Sequence, residues 1–210
     1  MDRVIACRRC PRLTAFRASV RQEFPNYYCL PVDSFGDPHA RLLIVGLAPG
    51  KHGANATGRV FTGDASASLL FETLFKFGFA SKADSVSLED GMTLNSCRIT
   101  NAVKCLPPQN RPLAREINQC NRFLREDIKL LADGSIILAL GVIAHNAVIK
   151  AVQLTQKHYR FAHHAQYQLP GGLSLIDSYH CSRYNTQTRR LTVEMFEQVF
   201  TDIKQVLDRD

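Results

Sequence analysis

Four short aliphatic runs divide the chain into strand-like and helix-like stretches. Most of these runs are bounded by glycine, proline or polar residues, which is the pattern of strands that are covered on both faces. The predicted strands are Arg41–Gly46, Cys97–Val103, Ile136–Gly141 and Leu173–Tyr179.

Between and after these runs, apolar residues recur at helical spacing. The predicted helices are Ser66–Phe79, Ala114–Ala132, Ile143–Val152 and Val193–Leu207. Asp64 or Ser66 is expected to cap the first helix and Thr192 the last. Strands that alternate with helices predict an α/β fold, a three-layer α/β/α sandwich around a central, mostly parallel sheet of four strands.

The remaining long segments, Lys82–Asn95 and Tyr159–Gly172, are polar and are predicted to be exposed connections. Neither has the character of a domain boundary, so the sequence predicts one domain over residues 1–210. Ligands of such folds bind at the carboxyl ends of the strands. The loops that could form a site therefore follow Gly46, Val103, Gly141 and Tyr179.

The charge balance adds a candidate partner. Lys and Arg number 26 against 19 Asp and Glu, a net charge of +7, which favours a polyanion such as nucleic acid. No apolar run approaches the roughly 20 residues of a membrane span, and the first residues carry no apolar signal segment. The expectation is a cytoplasmic protein without a membrane partner.

Seven cysteines with uneven spacing argue against a disulfide framework. Cys7 and Cys10 form a C-x2-C pair, and Cys105 and Cys120 form a C-x14-C pair. Four thiolates suit a tetrahedral site for zinc or for a [4Fe–4S] cluster, and the spacing does not choose between them. The alternative is a core residue at Cys120 and an ordinary loop thiol at Cys105. Cys97 is predicted to be a buried strand residue.

Glycines are dense after the first strand, in Gly46–Gly50 and Gly58–Asp64. Glycine allows a ligand or another chain segment to approach the backbone closely. A helix is predicted directly afterwards, so a phosphate-binding loop is one interpretation. However, neither G-x-x-x-x-G-K-[ST] nor G-x-G-x-x-G is present.

Three segments resemble the successive motifs of the family 5 uracil-DNA glycosylases, whose near relatives are family 4. These segments are LLIVGLAPGKHGANATGRVFTGDASA, ITNAVKCLPPQNRP and SYHCSRYNTQTRRLT. The resemblance extends from Cys7 to Phe200. Both families share a four-cysteine [4Fe–4S] cluster, which implies Cys7, Cys10, Cys105 and Cys120 as its ligands. The first motif departs from family 5 in reading GLAPG rather than GLAPA. Leu47 stands where family 4 carries an acidic residue, which favours family 5.

The resemblance implies a monofunctional glycosylase that removes uracil, and other deaminated bases such as hypoxanthine and xanthine, in base excision repair. Asp64 matches the family 5 aspartate, and a carboxylate there would stabilise the sugar cation or orient water. His180 would donate to a carbonyl oxygen of the departing base. Asn110 resembles the site asparagine of family 5. From the residues alone, a helix N-cap is the commoner role for an aspartate at position 64. A surface histidine is the weaker interpretation of His180, because of its position just beyond the last strand.

Further residues are implied to bind the extruded base. Phe61 resembles the aromatic residue on which the base stacks, with ordinary core packing as the alternative. Asn101 resembles the base-reading asparagine of family 4, because an amide offers both a donor and an acceptor. The implied substrate-binding set is Gly46, Leu47, Ala48, Gly50, Phe61 and Asn101.

The polar segment beyond His180 is implied to enter the minor groove of DNA and to fill the gap that the flipped base leaves. Its members are Asn185, Thr186, Gln187, Arg189, Arg190 and Leu191; the alternative is a solvated loop. Two interpretations fit a further set of basic residues: they contact DNA phosphates, or they form a solvated charged face. These residues are Arg8, Arg9, Arg12 and Lys104. The implied partner is double- or single-stranded DNA containing deaminated bases, bound by a monomer in a prokaryotic nucleoid.

Two other functions fit parts of the pattern. The first is a non-catalytic iron–sulfur protein that binds damaged DNA without cleaving it. The second is a zinc-stabilised hydrolase of a phosphorylated small molecule, which would show no salt-sensitive affinity for DNA.

Overall fold

The four aliphatic runs form the parallel centre of one sheet. The computed structural model describes residues 4–63 and 65–208. The sheet has six strands in the order β1-β3-β2-β4-β6-β5, and the pairs β2–β3, β2–β4 and β4–β6 are parallel. The strands are β1 (Phe35–Gly36), β2 (Leu42–Gly46), β3 (Cys97–Asn101), β4 (Ile136–Leu140), β5 (Gln166–Gln168) and β6 (Ser174–Ser178).

The prediction of four strands was wrong about the two edges of the sheet. Strands β1 and β5 pair antiparallel with β3 and β6, and β5 lies inside the segment that was predicted to be an exposed connection. Strand β1 has two residues and β5 has three. Neither is long enough to produce a periodic pattern, and short edge strands are common because they limit edge-to-edge pairing.

Strand alternation divides the core between the two faces of the sheet. Leu42 and Ile44 point to one face, where helices α3 (Ala65–Lys76) and α7 (Val193–Leu207) pack. Leu43 and Val45 point to the other face, which α4 (Ala114–Lys129) and α5 (Val142–Ala151) cover. The predicted three-layer α/β/α architecture is confirmed.

The four predicted helices form, with ends that differ by a few residues. Thr192 caps α7 as predicted, because its Oγ1 accepts a hydrogen bond from the N–H of Met195 at 3.2 Å. Asp64 lies outside the described residues, as does the side chain of Ser66. Three further helices were not predicted: α1 (Pro11–Glu23), α2 (Ala54–Thr57) and α6 (Arg183–Gln187).

Helix α1 lies over the region between the third strand and α4. Leu13 is fully buried there in a small core with Val103 and Phe123. The Arg12 guanidinium forms two hydrogen bonds to Glu116 on α4, at 2.8 and 2.7 Å. These contacts hold the N-terminal segment against the body of the protein.

The segment 82–95 is irregular but not wholly exposed. Ser85 is buried, and the Asp90 carboxylate forms an ion pair with the buried Arg59. The prediction of an exposed connection was therefore only partly correct. Among the described residues, no helix is long and apolar enough to cross a membrane.

Candidate active site and cysteine cluster

A cavity of about 300 Å³ opens at the carboxyl edge of the sheet. It lies where β2 and β3 end and where the chain continues beyond β6, which is the usual place for a ligand in this class of fold. Its volume falls at the small end of ligand sites. The lining residues are Leu47, Ala48, Gly50, Ala54, Phe61, Asn101, Asn110, His180 and Ser182.

Gly46, the last residue of β2, allows two pocket side chains to reach the backbone. A Cβ atom at this position would lie 2.5 Å from Asn101 Oδ1 and 2.6 Å from Cε2 of Phe61. Both distances are below van der Waals contact, so Gly46 is required for the arrangement of Asn101 and Phe61. Gly46 thus lies behind the pocket wall, whereas Leu47, Ala48 and Gly50 line the pocket directly.

Phe61 has an unusual backbone conformation for its residue type. Its φ of 50° lies in the left-handed region, which non-glycine residues adopt only when their surroundings hold them there. The ring is 7% exposed and stacks on His180 with centroids 5.8 Å apart and an interplanar angle of 25°. Phe61 is therefore both a core residue and a pocket wall.

Two asparagines reach the pocket from different depths. Asn101 is buried at the end of β3, and its Oδ1 has no hydrogen-bond partner among the described residues. A buried polar atom of this kind is costly unless a ligand or water satisfies it. Asn110 is exposed at the mouth, in a short turn where its φ is 55°.

His180 follows β6 and presents a neutral imidazole at neutral pH. Burial lowers its pKa to about 4, because desolvation disfavours the charged ring. Its Nδ1 is buried without a hydrogen-bond partner in the described part of the chain. Its carbonyl accepts a hydrogen bond from Asn185 Nδ2 at 2.8 Å. A neutral imidazole offers one donor and one acceptor to a bound group.

The segment expected to contact DNA is partly a helix. Ser182 caps α6 by accepting a hydrogen bond from the N–H of Asn185. Thr186 is half-buried, and Gln187 is exposed. The Asn185 side chain donates a hydrogen bond to the carbonyl of His180, so Asn185 supports the backbone of a pocket residue.

Beyond α6 the predicted DNA-contacting residues differ in exposure. Arg189 and Arg190 are exposed, and the Arg190 guanidinium lies 4.6 Å from the centroid of the Tyr179 ring. Leu191 is fully buried in the core beneath α7. The expected DNA contact of Leu191 is therefore not supported, because its side chain has no exposed surface. Its apolar character reflects packing.

The four cysteines of the two predicted pairs come together. Cys7 and Cys10 are half-buried, Cys105 and Cys120 are buried, and all four line one cavity. Leu13, Val103 and Phe123 supply apolar walls. The packing of α1 on α4 thus brings the two cysteine pairs together although they are far apart in the sequence.

Neighbouring groups hydrogen-bond to two of the sulfur atoms. The backbone N–H of Lys104 donates to Cys120 Sγ at 3.2 Å, and Arg122 Nη2 lies 3.9 Å from Cys7 Sγ. Four thiolates around a single zinc ion would lie only about 3.8 Å apart, given a Zn–S bond of about 2.3 Å. In residues 4–63 and 65–208, no group of three or more His, Cys, Asp or Glu side chains is arranged to hold a single metal ion. The four cysteines therefore do not form a zinc site in this arrangement.

Two of the residues considered for phosphate contacts are otherwise engaged. Lys104 is 1% exposed and its ammonium group lies 3.2 Å from Asp127 Oδ2, so it cannot contact DNA. Arg12 is paired with Glu116. Arg8 is exposed and donates to two backbone carbonyls.

The sequence did not identify two of the pocket residues, Ala54 and Ser182. Ser182 follows His180 by two positions and precedes Asn185 by three, and that cap spacing could have placed it. Ala54 carries no chemical signal. The network of Arg59 with Ser85 and Asp90 was also missed, because its members are separated by about 30 residues (59 to 90) in the chain.

Comparison with known proteins agrees with this geometry. Residues 34–204 match the model of the uracil DNA glycosylase superfamily. The type-5 uracil-DNA glycosylase of Thermus thermophilus is 45% identical over 206 residues, covering 96% of this chain and 94% of the relative. That of Pyrobaculum aerophilum is 42% identical over 203 residues, covering 95% and 88%.

A solved structure shows the same fold at low sequence identity. It is described as the crystal structure of wild-type Pedobacter heparinus SMUG2, and it has a TM-score of 0.51 and 14% identity over 82% of this chain and 77% of that one. The fold, the matched region and the relatives lead to one assignment: the chain belongs to the uracil-DNA glycosylase superfamily, and within it to the type-5 enzymes.

Proposed function

We propose that this protein is a monofunctional DNA glycosylase that hydrolyses the N-glycosidic bond of uracil in DNA. The observation that carries the proposal is the pocket bounded by Phe61 and His180. At the end of β3, the Oδ1 of Asn101 has no hydrogen-bond partner among the described residues. The relatives above are named uracil-DNA glycosylases. An extruded base needs an aromatic surface, groups that read its edge and exclusion of water.

Each pocket residue has a role that its environment supports. Phe61 lines the pocket and packs against the bound base, and the Asn101 amide can hydrogen-bond to the base edge. The pKa of His180, lowered by burial, keeps the imidazole neutral, so its N–H can donate to the base oxygen on which negative charge builds. By resemblance, Asp64 supplies the carboxylate that stabilises the sugar cation or orients water.

The pocket lining favours a broad range of deaminated bases. Leu47 and Ala48 present apolar side chains and backbone groups, which discriminate weakly between bases of different ring size. An amide such as that of Asn101 can pair with either a donor or an acceptor. Hypoxanthine and xanthine are therefore proposed as further substrates.

The four-cysteine cavity is proposed to hold a [4Fe–4S] cluster through Cys7, Cys10, Cys105 and Cys120. Support comes from their convergence in one apolar cavity and from the N–H of Lys104 directed at Cys120 Sγ, because cluster sulfurs commonly accept backbone hydrogen bonds. When bound, the cluster supplies a structural cross-link. These residues would tie α1 to the loop after β3 and to α4.

The activity is tested with single-turnover assays on duplexes that contain one uracil, hypoxanthine or xanthine. Alkali-labile abasic product is expected from all three, and none from the undamaged duplex. Asp64→Asn and His180→Ala are expected to slow cleavage by orders of magnitude while the thermal unfolding transition is retained. Tight binding to uracil DNA without abasic product would replace the proposal with a non-catalytic damage-binding protein.

The cluster is tested independently of activity. Purified protein is expected to contain about four iron and four sulfide per chain and to be brown. Cys120→Ser should lose the iron, whereas Cys97→Ser, the matched control in β3, should retain it. A colourless protein with one zinc per chain would contradict the proposal.

A further inference from the structure

Arg59 is buried at the start of the turn that presents Phe61 to the pocket. Only 3% of it is exposed, and two of its three guanidinium nitrogens form hydrogen bonds to neighbouring side chains. Its Nε donates to Thr62 Oγ1 at 3.0 Å, its Nη2 donates to Ser85 Oγ at 2.6 Å, and Nη2 also pairs with the Asp90 carboxylate. A buried guanidinium of this kind is stable only because its charge is paired.

The partner side of this network is a tight turn in segment 82–95. Asp90 accepts backbone hydrogen bonds from Val86, Ser87 and Met92, at 2.9, 3.2 and 2.8 Å. Burial opposes its ionisation, but the hydrogen bonds from Arg59 and from the backbone outweigh burial and lower its pKa. Asp90 is therefore a fixed anion that organises its own turn while it holds Arg59.

The network encloses the strained residue Phe61. Arg59 and Thr62 flank Phe61 closely in the chain, and Thr62 Oγ1 lies 2.7 Å from Ser85 Oγ. The N–H of Gly63 donates to the carbonyl of Ser85 at 3.1 Å. The turn is thus fixed on both sides of a residue whose left-handed φ needs such support.

We propose that the buried Arg59–Asp90 ion pair is a clamp that holds Phe61 in the orientation that receives the extruded base. Arg59 and Asp90 are positioning residues, since they act through the turn and do not line the pocket. The inference rests on the proposed glycosylase function. It assigns to segment 82–95, which has no other role in the site, the task of fixing the base-stacking wall.

The test compares Asp90→Asn with Glu89→Gln, a matched control because Glu89 is the exposed acid beside it. In Asp90→Asn, the single-turnover rate at saturating enzyme is expected to fall about 10- to 100-fold, the effect of misplacing a catalytic wall by about 1 Å. Affinity for undamaged duplex should stay within about twofold, because no charge on the DNA-facing surface changes. Glu89→Gln should match the wild type in both measurements.

Two readouts separate a clamp from general stabilisation. Hydrogen exchange on the free protein should show faster exchange in residues 59–63 of Asp90→Asn, with β4 and α5 unchanged. 2-Aminopurine placed beside the uracil should report less base extrusion at saturating enzyme. Arg59→Lys retains the charge but lacks the guanidinium fork, and it should show the same pattern.

Should Asp90→Asn fail to fold, Ser85→Ala decides the matter. It removes the hydroxyl that contacts both Arg59 Nη2 and Thr62 Oγ1 and should slow cleavage about three- to tenfold with the same exchange pattern. Wild-type rates and exchange in the folded variants would overturn the clamp while leaving the glycosylase function intact. Wild-type protein that cleaves no damaged duplex would instead overturn the proposed function, and the exchange data would still test the clamp.

Discussion

Replacing Gly46 by alanine tests the geometry of the pocket with the smallest possible change. The substitution adds one methyl group at the end of β2 and removes no functional group. Its Cβ would lie 2.6 Å from the Phe61 ring and 2.5 Å from Asn101 Oδ1. Because the backbone of β2 is fixed by pairing with both β3 and β4, the two side chains must move.

The required movement can be estimated from these distances. Carbon atoms pack at separations of at least about 3.5 Å, so the Phe61 ring must retreat by about 0.9 Å. Overpacking of this kind destabilises a protein by about 1–3 kcal/mol. A displacement of about 1 Å at a reacting centre costs about 100-fold in rate, so Gly46→Ala should slow uracil excision by about two orders of magnitude.

The assay is single-turnover cleavage of a uracil duplex at saturating enzyme, at a temperature well below the unfolding midpoint. Ala147→Val is the control, because Ala147 is fully buried on α5 in the opposite core layer. It should lower the unfolding midpoint by overpacking while leaving the rate unchanged. An unchanged rate in folded Gly46→Ala would refute the argument that contact between β2, Phe61 and Asn101 sets the pocket.

Three further predictions concern the residues beyond β6. The pKa of His180, lowered by burial to about 4, is below the roughly 6.5 of an unfolded histidine. The unfolded chain therefore binds more protons between these values, and the free energy of unfolding should decrease as pH falls from about 6.5 to 4. This dependence should be weaker in His180→Gln, whereas an NMR midpoint for His180 near 6.5 would contradict it. Asn185→Ala, which frees the carbonyl of His180, should slow cleavage about tenfold, and an unchanged single-turnover rate would exclude its supporting role. Arg190→Gln should reduce the slope of log binding constant against log salt by about one, whereas Lys157→Gln should leave the slope unchanged.

The fold was largely predictable because its centre obeys simple patterns. Fully buried parallel strands read as aliphatic runs, and the helices that cover them carry apolar stripes. The edge strands were not predictable, since Gln166–Gln168 is short and polar and is held by pairing with β6. Helix α1 was also missed. Several arginines lie between its apolar residues Leu13 and Val20 and beside them, so its hydrophobic pattern resembles that of a solvated loop.

The candidate site was predictable where residue type signals chemistry. The cysteine pairs and His180 could be singled out from the sequence. The structure places the four cysteines in one cavity and His180 in the wall of the pocket. Supporting contacts could not be inferred, because they depend on three-dimensional proximity. Asp90 is an ordinary acid in a polar segment until Arg59 is seen beside it. Leu191 differs in the opposite way, since the family resemblance implied a DNA contact for a side chain that is buried in the core.

The position of the cysteine cavity explains how distant parts of the chain can stiffen the pocket. The pairing of β2 with β3 continues beyond the strands, since Ala102 and Val103 donate backbone hydrogen bonds to Gly46 and Leu47 at 2.9 and 3.0 Å. Ala48, the next pocket residue, packs against the core that contains the cysteines.

A cross-link between Cys10 and Cys105 would close a loop of about 95 residues. By the chain-entropy estimate, such closure stabilises the folded state by about 4–5 kcal/mol. Because such a cross-link would lie beside Ala48, which packs against the cysteine core, its removal should loosen this wall of the pocket before it affects the opposite core layer around α5. Hydrogen exchange in Cys120→Ser would measure that order, and equal loosening of both regions would show that the cysteine site stabilises the whole fold rather than the pocket.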